Sequence, residues 1–193
     1  MKITLLAGNF LNPQNFLYAL EKVDNKLFID YQLEKLLALN YEVDVVLGYR
    51  YSEEILRDSL FIRKCHIIFD PNENENNLLT NLYAGLFALY GEGFYLPIQF
   101  KCPDLYDWQR MIKRFYQVTS DGYEILRPYI PCEGVLEAGY PLGVSRKARE
   151  LIMKDRSKQN LEDFLLKEYK MPILDHYLSH PYFENRQILP HVG

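Results

Sequence analysis

Short apolar runs of strand length, each stopped by a turn and separated by stretches of helical spacing, constrain this chain more than any other feature. The first is KITLLAGN, in which Ile3, Thr4, Leu5, Leu6 and Ala7 run almost without interruption until Gly8 and Asn9 break the pattern. A strand that is apolar on both faces belongs inside a parallel sheet covered by helices on each side, because only there are both faces dry. Residues 43–48, 66–69 and 94–98 repeat the pattern, the last with Pro97 late enough for its missing N–H to be tolerated. Between them, residues 27–39 and 78–89 carry helical spacing, Ser52 reads as the N-cap of a helix through Arg57, and Asp104 as the N-cap of a helix over 104–116. Strands alternating with helices over short turns close through right-handed crossovers. The expected class is α/β: a three-layer α/β/α sandwich on a mostly parallel, Rossmann-like sheet.

The remaining segments are less regular. Residues 9–25 are turn-rich, with Asn12-Pro13, and read as a long loop with one irregular turn near 16–20. NENENN at 72–77 reads as a polar loop. Residues 121–143, rich in Tyr, Pro and Gly, read as a small antiparallel element, a short hairpin or irregular edge beside the main sheet. Helices over 145–155 and 160–169 and a last strand from Met171 complete the expectation. The 193 residues suit a single domain.

Charge and cysteine content exclude some functions. The 22 basic and 26 acidic residues leave a formal charge of −4, which argues against affinity by broad neutralisation of DNA or RNA phosphates. Cys65, Cys102 and Cys132 form no C-x-x-C pair and read as reduced, buried thiols. The apolar run at the start is too short for a signal-peptide core or a membrane span, so a soluble, cytoplasmic protein is expected.

In sheets of this type a ligand lies beyond the carboxyl ends of the strands, which directs attention to the turns after Ala7, Leu47, Phe69 and Ile98. Gly8 would let the backbone approach a ligand closely, yet the turn has neither G-x-G-x-x-G nor G-x-x-x-x-G-K-[ST]. Spacing alone leaves ligand binding and a simple tight strand exit both open. His176 and His180 have the spacing of helical zinc ligands, but Pro172 and Pro181 bracket them and favour surface or packing roles. Glu53 and Glu54 read as a solvated helix start, as does the basic cluster Arg146, Lys147 and Arg149, which could otherwise receive a phosphate. Tyr49, Tyr51, Tyr83, Tyr90 and Tyr95 suit either an interface or a flat-ring ligand.

The order LAGN, ALEKVDNKLFIDYQLEKLL, VDVVLG resembles the opening of the molybdenum cofactor guanylyltransferase-like family of nucleotidyltransferases. Leu6, Ala7 and Gly8 match the family's L-A-G-G, as do Ala19, Leu20 and the Lys26-Leu27 step. Asn9 replaces the second Gly, and Leu11, Pro13 and Asn15 stand where the family has Ser, Arg and Gly. Further on, Asp70 falls at an acidic position used for nucleotide contact, Ala84-Gly85-Leu86 match, and YLPIQFKCPDL corresponds to L-P-V-D-x-P-F-V-P-P-E-L. YPLGVSRKARELI and FENRQIL continue the likeness to near the end of the chain.

The resemblance implies a sheet of the nucleotide-diphospho-sugar transferase type and nucleotide binding by Leu6, Ala7, Gly8, Asn9, Tyr18 and Asp70. It also implies lost chemistry. The phosphate-binding Lys is Tyr18 here and the magnesium-binding Asp is Gln99. Nucleotidyl transfer spreads negative charge that magnesium, Lys or Arg must meet. A neutral amide holds a hard cation poorly, and a phenol carries no positive charge. Asp104 or Asp107 could restore a metal ligand, although helix capping suits them better. Three functions follow: a nucleotide binder with degenerate catalytic motifs, GTP being favoured by the resemblance; an active magnesium-dependent nucleotidyltransferase acting on molybdopterin or a sugar; or a scaffold for a partner protein of molybdoenzyme maturation.

Overall fold

The computed structural model describes residues 1–8, 10–11, 16–71, 78–88, 91–100, 102–132, 135–154 and 167–172. Along the chain run β1 (Lys2–Ala7), β2 (Lys22–Val23), β3 (Lys26–Leu27), α1 (Phe28–Leu37), β4 (Glu42–Gly48), α2 (Tyr49–Asp58) and β5 (His66–Asp70). They are followed by α3 (Leu78–Ala88), β6 (Gly93–Pro97), α4 (Leu105–Ser120), β7 (Ile125–Cys132), β8 (Val135–Ala138), β9 (Leu142–Val144), α5 (Arg146–Lys154) and β10 (Glu168–Pro172).

The main sheet has the order β10-β7-β9-β6-β1-β4-β5, with β8 paired to β7. Its central strands β6, β1, β4 and β5 are parallel, as continuous apolar runs require. Successive strands β1, β4 and β5 step outward in one direction, and the chain then returns to lay β6 on the other flank of β1. The strand order therefore reverses between β1 and β6, and the right-handed sense of parallel crossovers places α3 on the opposite face from α1 and α2. Both faces of β1 are covered: Ile3, Leu5, Leu6 and Ala7 are all buried.

Five expectations are corrected. Residues 121–143 form the expected antiparallel hairpin, β7 with β8, but they enter the sheet instead of lying beside it, since β9 inserts between β6 and β7 and runs antiparallel to both. Gly143 makes this possible, leaving room for Phe94 and Phe115, whose rings meet at 5.2 Å, while Trp108 meets Phe94 edge-on at 5.5 Å. The loop expected over 9–25 contains a hairpin, β2-β3, turned by Asp24 and Asn25 with φ of 51° and 63°. Such turns usually advertise themselves as Asn-Gly, and two-residue strands carry no period. Ser52 is not an N-cap, because α2 starts at Tyr49 directly from Gly48 and the Ser52 hydroxyl donates back to the Tyr49 carbonyl at 2.9 Å. Glu168 and Tyr169, expected at a helix end, open β10 and pair in parallel with Ile125 and Leu126. Helix α4 also runs on to Ser120, because Val118 still faces the core. Residues 72–77, His176 and His180 lie outside the described residues.

Among the described residues no helix is long and apolar enough to cross a membrane. Burial pushes the Cys65 thiol up to about 11, aided by the charge of Asp44, and the Cys102 thiol up to about 12.

A Cβ at Gly143 would stand 2.9 Å from both Phe115 and Phe94 ring carbons. Gly143→Ala is expected to cost about 1–3 kcal/mol of stability through overpacking, read as a lower urea midpoint.

Candidate functional site

The carboxyl ends of the central strands bring together residues far apart in sequence. Ala7 pairs with Leu47 and Gly48 with Asp70, while Leu6 pairs with Pro97, and the Ile98 amide donates to the Leu6 carbonyl at 2.9 Å. Gly8, Gly48, Asp70 and Gln99 consequently stand on one rim, with Gly8 and Gln99 flanking the point where the strand order reverses.

Beneath this rim lies Asn81, a residue that the sequence patterns did not single out. It sits in the first turn of α3, and its Nδ2 donates to Asp70 Oδ2 at 3.1 Å. A Cβ on Gly8 would fall 2.0 Å from the Asn81 Oδ1. The close approach that Gly8 permits is thus to a carboxamide from below, which ties the end of β1 to the end of β5 across β4. Asp70 is 1% exposed, so its carboxylate serves the floor of the rim. The one polar residue on the buried side of an otherwise apolar helix, one turn before Gly85, was the available signal.

Gln32 is a second unforeseen residue. It lies on the buried face of α1 between Phe28 and Leu36, and its Nε2 donates to the carbonyls of Phe100 at 2.6 Å and Ile98 at 3.3 Å. Its Oε1 accepts from the Cys102 amide at 2.9 Å, and Trp108 Nε1 donates to Cys102 Sγ at 3.3 Å. The segment carrying Gln99 is therefore pinned on both sides. The Gln99 Oε1 is itself buried without a hydrogen-bond partner. Asp30 does similar work after α2, accepting from Ser59 Oγ at 2.5 Å and the amides of Leu60 and Phe61 at 3.0 and 3.2 Å.

Leu6 and Ala7 are buried at the end of β1, and Asn9 lies outside the described residues. Tyr18 is 5% exposed within the core, its amide donating to the Phe10 carbonyl at 3.0 Å. Asp104 caps α4, accepting from the Asp107 amide at 2.8 Å, and Asp107 lies 3.5 Å from Arg110. The basic cluster is engaged internally: Arg146 with Glu150 at 3.2 Å, Lys147 with Glu124 at 2.7 Å, and Arg149 with the Leu86 carbonyl at 2.7 Å. Glu124 is buried, but bonds from Lys147 and Ser145 outweigh that burial and hold its carboxyl below the usual range.

Magnesium needs several hard oxygen donors, carboxylates above all. Among the described residues no group of three or more His, Cys, Asp or Glu converges, and the rim offers one buried carboxylate and a neutral amide. These residues do not fit the cation.

No protein-family model and no curated protein matches the sequence. Solved structures do. Molybdopterin-guanine dinucleotide biosynthesis protein A from Archaeoglobus fulgidus superposes with a TM-score of 0.65 at 16% identity, over 89% of this chain and 83% of its own. A nucleotidyl transferase from Methanothermobacter follows at 0.62 and 13%, over 89% and 86%. This chain shares its fold with these solved structures. Within that fold, 4-diphosphocytidyl-2C-methyl-D-erythritol synthase from Anaerococcus prevotii is similar at 0.63 and 12%, over 89% and 85%, so the architecture does not select one base or acceptor.

Gly8→Ala is expected to cost about 1–3 kcal/mol by displacing the Asn81 carboxamide, and clearly less in an Asn81→Ala background. Equal costs in the two backgrounds, measured by urea denaturation, would separate Gly8 from Asn81. Replacing Gln32 by Leu should speed hydrogen exchange at the Cys102 amide about tenfold, since that amide loses its acceptor.

Proposed function

We propose that this protein binds a nucleotide at the rim formed by Gly8, Asp70 and Gln99, with Asn9 following Gly8 in the sequence, and without the charges that nucleotidyl transfer requires. The observation that carries the proposal is the position of Gly8 and Gln99 on either side of the strand-order reversal, where open α/β sheets hold their ligands. Backbone groups of the turn after Leu6 and Ala7 would meet the base, with Asp70 and Asn81 holding that turn in place. Tyr18 supports the same reading in another way: a Lys there would bury an ammonium in the core, so the position supplies packing and no cation for a phosphate. GTP is the first nucleotide to try, given the sequence resemblance and the guanine dinucleotide named for the archaeal neighbour; molybdopterin or a maturation protein would be the accompanying partner.

Ligands that prefer the native state raise its unfolding midpoint, by about 2.7 kcal/mol at a hundredfold excess over Kd. A thermal-shift series with GTP, CTP, UTP and ATP is expected to show a rise of a few degrees for at least one, the same with and without magnesium or manganese. Gln99→Asp should make that rise metal-dependent. A metal-dependent rise in the natural chain would favour an active transferase, and no rise at millimolar nucleotide would leave the sheet as an interaction scaffold.

A further inference from the structure

A polar row crosses the sheet well below the rim. Tyr95 of β6, Thr4 of β1, Asp44 of β4 and His66 of β5 are paired in register. Paired residues of parallel strands share a face, and here it is the face under α3, since a Cβ on Gly85 would stand 3.2 Å from Thr4 Cγ2 and 3.3 Å from Tyr95 Cε1. Thr4, Asp44 and Tyr95 are 0%, 1% and 1% exposed. Yet Thr4 Oγ1, Tyr95 Oη and both carboxylate oxygens of Asp44 make no hydrogen bond to another protein group.

Left dry, the two hydroxyls would carry a desolvation penalty, and the Asp44 carboxylate, although its charge is paired with Lys2 at 3.6 Å, would lack hydrogen-bond donors. The donors and acceptors are complementary: two hydroxyls can donate, and a carboxylate only accepts. Thr4 stands on the strand between the other two, about 4.8 Å from each neighbour, so Tyr95 and Asp44 lie two spacings apart; none of the three side chains bonds directly to another, and water molecules between them would supply the missing partners. An extra cation is disfavoured, because the Lys2 ammonium already stands 3.6 Å from the Asp44 carboxylate and the His66 ring occupies its other side, Nδ1 at 3.4 Å.

We infer that this row is a binding site for ordered water, in which the hydroxyls of Thr4 and Tyr95 reach Asp44 through shared water molecules. The hydrated seam fixes α3 against the sheet at Gly85, one turn from Asn81, and so sets the height of the carboxamide beneath Gly8.

The sign of a stability change tests this independently of any nucleotide. Removing a hydroxyl that is dry and unpaired stabilises a protein, whereas removing one that binds a buried water destabilises it. Thr4→Val and Tyr95→Phe should each lower the folding equilibrium constant about tenfold in urea titrations. The double variant should lose less than the product of the two, because the first change already disturbs the shared water. A rise or no change in stability for both single variants, or strictly multiplicative losses, would overturn the inference. So would stability that responds to sodium or potassium against tetramethylammonium at fixed ionic strength and ceases to do so in Asp44→Asn, since the occupant would then be a cation. If Thr4→Val does not fold, the sign for Tyr95→Phe decides, together with a crystal structure of the natural chain showing water oxygens within about 3.2 Å of at least two of the three side chains or showing none.

Discussion

A parallel sheet covered by helices on both faces offers no bulk water to the polar groups inside it, and this dryness governs the arrangement of the whole molecule. A polar side chain between the layers has to find its partner in the backbone, in another buried group or in ordered water. Asn81 does so between β1 and β5, Gln32 between α1 and the segment after β6, and Asp30 between α1 and the turn after α2. These three hold loops in place, and the loops are where the strands end. The rim owes its shape to amides and a carboxylate fixed from below.

Much of the central architecture was legible from the chain. Continuous apolar runs identified β1, β4, β5 and β6 to within a residue or two, because burial on both faces leaves a plain record in composition. Asp104 was legible as a cap for the same local reason. What escaped had its cause at long range or in very short elements. The insertion of β9 between β6 and β7 depends on Gly143 meeting Phe94 and Phe115, a three-way fit that no local period announces. The β2-β3 hairpin is too short to alternate, and Ser52 carried a cap signature that the earlier start of α2 left unused.

At the candidate site the residues nearest the strand ends were found by topology and resemblance, and the structure gathers Gly8, Asp70 and Gln99 on one edge. Asn81 and Gln32 were not found, although each is a lone amide in an apolar helical stripe. Such a residue is costly to bury, so its presence there signals a specific bond. Tyr18, which resemblance alone assigned to the nucleotide, is buried and packs in the core.

The Gln32 bonds have a bearing on how the molecule assembles. They join residue 32 to residues 98, 100 and 102, across most of the first half of the chain. Closing so long a loop costs entropy that only the intervening strands and helices can offset. During synthesis the first strand and helix therefore emerge well before the segment that completes them, and the rim acquires its form late, together with the body of the sheet. An amino-terminal fragment that stops short of β6 would contain Gly8 and Asp70 and still lack the fixed ground between them and residue 99.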